Sequence, residues 1–372
     1  MRRRITQAER IVVKVGTSTL TYANGQLNLQ RIERLVREIA DLHNRGLEVL
    51  LVTSGAIRVG ANRMGMKNIP NTLPDKQALA AIGQGALMQI YEKLFSEYSK
   101  TVAQVLLSRG DMDDRIRYLN ATNALLAMLN MNVIPVINEN DTVGVEEIKF
   151  GDNDTLSAMV AGLVDADLLI ILSDVDGLYS CDPRENEKAE LMSLVEEITT
   201  EMEENSTNRG SSFASGGMFT KLKAARMCMA SGASMVIANS AETNVIRRIV
   251  AGEELGTFFI PRAKKMHARD KWIAFGRLVQ GKILIDAGAS MALLKKGKSL
   301  LPSGVVGIEG EFERGAVVAV IDSEKNEIAR GIANYSSVDI SKIKGKKTSQ
   351  IKDLLGEKDY DEIIHRNNLW VE

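Results

Sequence analysis

The chain has 372 residues, 45% of them hydrophobic and 26% charged, and a net charge of −1. That length exceeds what one core supports, so two domains are expected, and the composition excludes disordered and fibrous classes. No run of 18 apolar residues is present, and the basic opening MRRRITQAER lacks the apolar core of a secretory leader, so the expectation is a cytoplasmic protein without membrane contact.

In chain order, 10–15 (RIVVKV) reads as a buried strand closed by Gly16. Leu29, Ile32, Leu35, Val36, Ile39 and Leu42 recur at helical spacing, and Gly46 ends that helix. Strands are expected at 48–53, 101–107, 132–138, 167–173 and 234–238, with helices at 75–98, 115–130, 153–163, 221–230 and near 242–250. The glycine- and proline-bearing stretch 59–74 reads as a loop and a candidate lid, and 145–150 as a short hairpin arm. Continuous apolar strands alternating with helices mean a mainly parallel sheet covered on both faces. Such sheets bind ligands beyond the carboxyl ends of their strands.

Residues 262–270 (RAKKMHARD) read as linker, and beyond them the pattern changes to short strands at 282–285, 305–309, 316–321 and 327–333, with a helix at 289–296. From Arg262 onward 20 Lys/Arg face 15 Asp/Glu, a charge of +5; the preceding part is −6. A basic tail domain leaves RNA open as a partner without requiring it. The two cysteines, Cys181 and Cys228, have no CxxC spacing, which argues against a disulfide framework or a zinc site, and Cys228 reads as core. His43, His267 and His365 lie outside every motif and read as surface residues.

The strand ends carry polar residues of one kind. Lys14 sits inside VVKVG, where a lysine is costly to bury unless it meets an anion; the alternative is a lysine snorkelling from an edge strand. Thr53–Ala56 (TSGA) offers Ser54 and backbone amides at a helix start. Asn138–Asp141 (NEND) and Gly151–Asp154 (GDND) hold more acidic and amide residues than an N-cap explains. They suit orienting lysines, binding an ammonium, or sitting in a Mg²⁺ shell. Ser173 to Tyr179 (SDVDGLY) ends a further strand, with Asp174 and Asp176 equally readable as turn residues. In ASGGMFTKLK, Gly216 and Gly217 precede a helix with Lys221 in its first turn, which is equipment for a transferring phosphoryl group. Two lysines, glycine amides and carboxylates without a nucleophile–base pair suit phosphoryl transfer, which needs positioning and charge neutralisation. Neither a GxxxxGK[ST] loop nor an HRD/DFG set is present, so another kinase fold is implied.

VVKVGTS (12–18), VTSGAI (52–57), VINENDTV (136–143), KFGDNDTLSA (149–158), LSDVDGLYSCDPR (172–184) and SGGMFTKLKAA (215–225) together resemble the glutamate 5-kinase family of the amino-acid kinase superfamily. The resemblance covers nearly the whole chain. It implies a three-layer α/β/α sandwich with a mainly parallel sheet over 1–261, a linker at 262–280, and a β-rich PUA-like domain at 281–360. It also implies ATP-dependent phosphorylation of the side-chain carboxylate of L-glutamate, the first step of proline biosynthesis. Carried onto this sequence, Lys14, Lys221 and Asp154 are catalytic. ATP is held by Lys14, Ser173, Asp174, Ser215, Gly216, Gly217, Met218, Phe219, Thr220 and Lys221, and glutamate by Ser54, Asp141 and Asn153, with Asp141 buried against its ammonium. Asp152 and Asp154 are candidates for a Mg²⁺ shell. Proline as feedback inhibitor and a homo-oligomer, dimer or tetramer, are further implications. Ser215 and Ser173 replace threonines common in the family, and Phe219 a small residue; none removes a charge. An acetylated acceptor would leave Asp141 without an ammonium, and UMP would call for more basic residues. An RNA-binding protein with the kinase fold as scaffold is the alternative from another class.

Overall fold

The computed structural model describes residues 2–22, 24–143, 153–181, 183, 186, 188–207, 217–261 and 279–371. The chain divides into two compact units, one of Met1–Asp111 with Arg115–Met266, the other of His267–Glu372 with Met112–Asp114. The expected hairpin arm at 145–150 and the stretch 262–278 lie outside the described residues.

The first unit contains strands β1 (Arg10–Val15), β2 (Glu48–Val52), β3 (Val102–Leu107), β4 (Ile134–Glu139), β5 (Leu168–Ser173), β6 (Leu194–Val195), β7 (Ser234–Asn239) and β8 (Thr257–Phe259). They form one sheet in the order β3-β4-β2-β1-β5-β7-β8-β6. Every neighbouring pair from β3 to β7 is parallel, and β7–β8 is antiparallel. The helices are α1 (Thr17–Leu20), α2 (Leu29–Asn44), α3 (Ala56–Arg63), α4 (Leu73–Ser96), α5 (Arg109–Asp113), α6 (Arg115–Asn130), α7 (Asn153–Leu163), α8 (Thr200–Thr207), α9 (Met218–Ser231) and α10 (Val245–Val250). β2, β5 and β7 are buried along almost their whole length, as strands covered on both faces must be. The core runs from Ile11, Val13 and Ile170 in the sheet to Ile39 on α2 and Leu87 on α4. Each such side chain contributes about 1.5–3 kcal/mol on burial. Cys228 lies fully buried on α9, where burial pushes its thiol pKa up to about 12, while Cys181 is half-buried.

The second unit is a five-stranded sheet of β9 (Gly281–Ile285), β10 (Val305–Glu309), β11 (Val317–Ile321), β12 (Glu327–Ile332) and β13 (Leu369–Val371), in the order β10-β9-β11-β12-β13. Only β9–β11 is parallel. Helices α11 (Ala287–Lys296), α12 (Ser337–Ile343) and α13 (Ile351–Leu355) complete it, around a core that includes Ile283, Leu293, Val318 and Ile340.

Two expectations are corrected. Residues 59–63 are not part of a loop: α3 runs through them with Val59, Gly60 and Ala61 buried, and Pro74 sits in the first turn of α4. His43 is buried rather than on the surface, its pKa lowered by burial and by nearby Lys100. The stretch before the glycine loop contains the two-residue β6 and the helix α8.

Helices α3 and α4 touch backbone to backbone. A Cβ on Gly60 would stand 1.9 Å from the Leu79 carbonyl oxygen, and one on Gly83 would stand 1.8 Å from that of Ala56 and 2.6 Å from the Gly60 nitrogen. These glycines are there for proximity rather than for unusual backbone angles. Gly83→Ala must force the helices apart and is expected to cost about 1–3 kcal/mol or more. Gly85→Ala, on the same helix with nothing within 4 Å of its would-be Cβ, should be neutral or stabilising by about 0.5–1 kcal/mol. Urea unfolding of both variants checks the contrast.

Candidate active site

Because β1, β2, β4, β5 and β7 run parallel, their carboxyl ends share one edge, and the polar residues of the sequence motifs gather there. Lys14, next to the end of β1, pairs in register with Val52 and Ile171 on the neighbouring strands, so only its tip can reach a polar partner. That partner is Asp154 in the first turn of α7. Lys14 Nζ lies 2.6 Å from Asp154 Oδ1, and Lys221 Nζ, from the first turn of α9, lies 3.2 Å from Oδ2. Thr220 Oγ1 donates to the same Oδ2 at 2.8 Å. Asp154 has no exposed surface, and each lysine is only 6% exposed.

Burial alone would raise the Asp154 pKa. The charges of Lys14 and Lys221, with hydrogen bonds from Lys14 and Thr220, outweigh it and hold the carboxyl below the usual range. Among the described residues, two ammonium groups thus share one carboxylate at the sheet edge. Gly217 begins α9 in extended conformation with no side-chain cap, leaving the first backbone N–H groups of that helix to point outward. Gly55 begins α3 in the left-handed region (φ 92°), again without a side-chain cap.

Beside the charged centre lies a neutral one. Asn153 Nδ2 donates to the Thr53 carbonyl at 2.6 Å, Asn138 Oδ1 at 2.8 Å and Ser54 Oγ at 2.9 Å. Asn138 Nδ2 in turn donates to Gln84 Oε1 at 2.8 Å. Thr53 Oγ1 lies 2.9 Å from the Tyr91 hydroxyl, and the Tyr91 pKa is raised by burial, which the Thr53 contact only partly offsets. Sequence reasoning missed Gln84 and Tyr91, both on α4, because nothing local marks them. Asn138 was visible in NEND but stood among three other polar residues.

Of the expected site residues, Lys14, Asp154, Thr220 and Lys221 form the charged centre, and Ser54 and Asn153 the neutral one. Ser173 is buried at the end of β5 and donates to Asp174, which is exposed. Phe219 is 42% exposed and Met218 half-buried. Asp141 is half-buried rather than buried, in the turn after β4, where the chain has left the sheet for the surface. Asp152, Ser215 and Gly216 lie outside the described residues. Among the described residues no group of three or more His, Cys, Asp or Glu side chains is placed to hold a metal ion. Both Asp154 oxygens face cationic or hydroxyl donors, so this carboxylate does not fit a Mg²⁺ ligand.

The model of the amino acid kinase family matches residues 9–239, and that of the PUA domain residues 281–355. The chain is 53% identical over 367 residues to a glutamate 5-kinase of Moorella thermoacetica, covering 99% of this chain and 97% of that one. It is 56% identical over 362 residues to a glutamate 5-kinase of Caldanaerobacter subterraneus, covering 97% of each. Among solved structures, carbamate kinase from Giardia lamblia bound to AMP-PNP aligns over 69% of this chain and 99% of that chain. Its TM-score is 0.51 at 16% identity, a likeness of fold alone.

Asp154→Asn removes the buried carboxylate that Lys14 and Lys221 share, which is expected to cost about 3–5 kcal/mol at neutral pH. A carboxyl held low in the folded state stabilises above its ordinary range near pH 4 and loses that contribution as pH falls through the depressed value. The stability gap between wild type and variant should therefore narrow as the medium is acidified, which denaturant titrations from pH 7 downward will measure.

Proposed function

The chain belongs to the amino acid kinase family, and we propose that it transfers the γ-phosphoryl group of ATP to the side-chain carboxylate of L-glutamate. The product is L-glutamyl 5-phosphate, the first intermediate of proline biosynthesis. The observation that carries the reading is the buried Lys14–Asp154–Lys221 centre at the carboxyl edge of the sheet. The glutamate 5-kinase relatives, aligned over nearly their whole length, supply the acceptor.

The chemistry asks little of a base. A glutamate side chain is already ionised at neutral pH, so its oxygen attacks the γ-phosphorus without losing a proton. The bond from that phosphorus to the bridging oxygen breaks, and ADP leaves with the electron pair. What must be managed is negative charge on the transferred group and on the leaving oxygen. Lys14 and Lys221 are the groups to neutralise it, and Asp154 holds both at fixed positions. The N–H groups at the start of α9, with Gly216 and Gly217, are assigned to the nucleotide phosphates, and Ser173 and Asp174 to the other side of the nucleotide. Mg²⁺ would enter with those phosphates rather than on a carboxylate cage of this chain. Ser54 and Asn153 are assigned to glutamate, and Asp141 to its ammonium.

Proline carries an amine and a carboxylate on one carbon, as glutamate does, but no second carboxylate. It would fill the amino-acid end of the acceptor site without offering a nucleophile, and this is the proposed route of feedback inhibition. Assembly as a homo-oligomer and a cytoplasmic location belong to the same proposal.

A second reading concerns the second unit. A cavity of about 720 Å³ there has an apolar floor that includes Leu293 and Leu300, and Lys298, His365 and Arg366 at its wall, beside the acidic Asp286 and Glu362. With the +5 of this part of the chain, it suits single-stranded RNA, whose bases need an apolar surface and whose phosphates need cations.

Incubation with Mg-ATP and glutamate in the presence of hydroxylamine should release ADP and yield a hydroxamate; wild-type silence on glutamate with turnover of another acid would move the acceptor. Lys221→Ala should lower kcat by a factor of about 100 or more while the fold persists, and near-normal turnover would remove it from the chemistry. RNA binding should fall steeply with salt, and Arg366→Ala should reduce the slope of log affinity against log salt by about 1. A flat salt response would leave the second unit without an RNA role.

A further inference from the structure

The neutral cluster beside the charged centre has a fixed polarity. The Thr53 carbonyl can only accept, so the Asn153 group facing it at 2.6 Å is the NH₂. The backbone N–H of Glu139 donates to Asn138 Oδ1 at 2.9 Å, which fixes Asn138 as well. Its NH₂ must then face Gln84, at 2.8 Å, so the Gln84 oxygen accepts and its NH₂ is the remaining end. Backbone groups at two points thus decide the direction of the whole relay. Its terminus is a donor.

That donor is buried and meets no acceptor among the described residues. Gln84 is 8% exposed and lines a small cavity with Ala56, Ala80, Asn140, Asp141 and Thr142. It reaches this place because the contact at Gly60 and Gly83 brings α4 down onto the start of α3. A buried donor without an acceptor is destabilising, and that cost is relieved when a ligand supplies the acceptor.

We propose that Gln84 is a specificity-determining residue of the acceptor site, its side-chain NH₂ donating to the α-carboxylate of the amino-acid substrate. The inference rests on the kinase reading above. In that reading the reacting carboxylate lies against Lys14 and Lys221, next to Asp154. Gln84 stands at the opposite end of the relay, beyond Asn153 and Asn138, and therefore faces the other carboxylate. Asp141, on the same cavity, faces the ammonium borne by the same carbon. A neutral amide reads the carboxylate without adding charge to a site whose positive charge is reserved for phosphate.

Three acceptors separate the roles: L-glutamate; 4-aminobutanoate, which lacks the α-carboxylate; and L-isoglutamine, which has an α-amide in its place. Gln84→Met keeps the shape and removes the donor. It should lower kcat/KM for glutamate about tenfold to a hundredfold, mainly through KM, and leave 4-aminobutanoate unchanged as substrate or competitive inhibitor. Gln84→Glu keeps an oxygen for Asn138 and presents a second oxygen instead of the NH₂. It should lose glutamate further and move the preference toward isoglutamine, whose amide can donate. If both variants depress all three acceptors by the same factor, Gln84 merely steadies Asn138 and the proposal falls. Wild-type enzyme run alongside keeps the tests apart: absence of glutamate turnover there would overturn the kinase reading and this proposal with it, whereas equal losses in the variants overturn this proposal alone.

Discussion

A carboxylate with no exposed surface persists in a protein only if cations meet it, and Asp154 is met by two. Everything at the edge of the sheet is arranged to make this possible. β1 brings Lys14 up between β2 and β5, α7 starts with Asp154 directly beside it, and α9 starts with Lys221 on the far side. Loss of Asp154 takes the shared partner from both lysines and is the costly change, worth several kcal/mol, whereas loss of either lysine leaves the carboxylate paired with the other. The same geometry holds two ammonium groups at fixed positions, where a phosphoryl group in transfer can use them. Stability and chemistry here depend on the same three side chains.

The neutral amide relay works on a different principle. Asn153, Asn138 and Gln84 are oriented by main-chain groups, so their donor and acceptor directions follow from the fold rather than from ionisation. One part of the site handles charge and the other handles direction. The two meet at adjacent residues, Asn153 and Asp154, in the first turn of a single helix. A shift of α7 would disturb recognition and phosphoryl transfer together.

Much of this was legible in the sequence because apolar strands make their polar exceptions conspicuous. Lys14 within VVKVG, the acidic and amide residues after IPVI, and Lys221 after a glycine pair are all residue types in costly places. The parallel sheet followed from unbroken apolar runs alternating with helices. Less legible were features whose partners are distant along the chain. Gly60 reads locally as punctuation, yet it lies within a helix because another helix, at Leu79, comes too close for a side chain. His43 reads as an exposed helix residue, and its burial follows from packing that no window around it contains. β6 and β8 are too short to announce themselves, and they pair only because β7 offers an edge. Gln84 looks like any helical glutamine until Asn138 is placed beside it.

Cys228 has a consequence of its own. It lies on α9, seven residues beyond Lys221, wholly enclosed and with its thiol pushed up to about 12, so both access and ionisation deny it to electrophiles while the helix is seated. The other cysteine, Cys181, is half-buried and lies outside α9. Of the two thiols, only Cys181 offers a reagent any surface, so attack on Cys228 would require the helix bearing Lys221 to leave its packing.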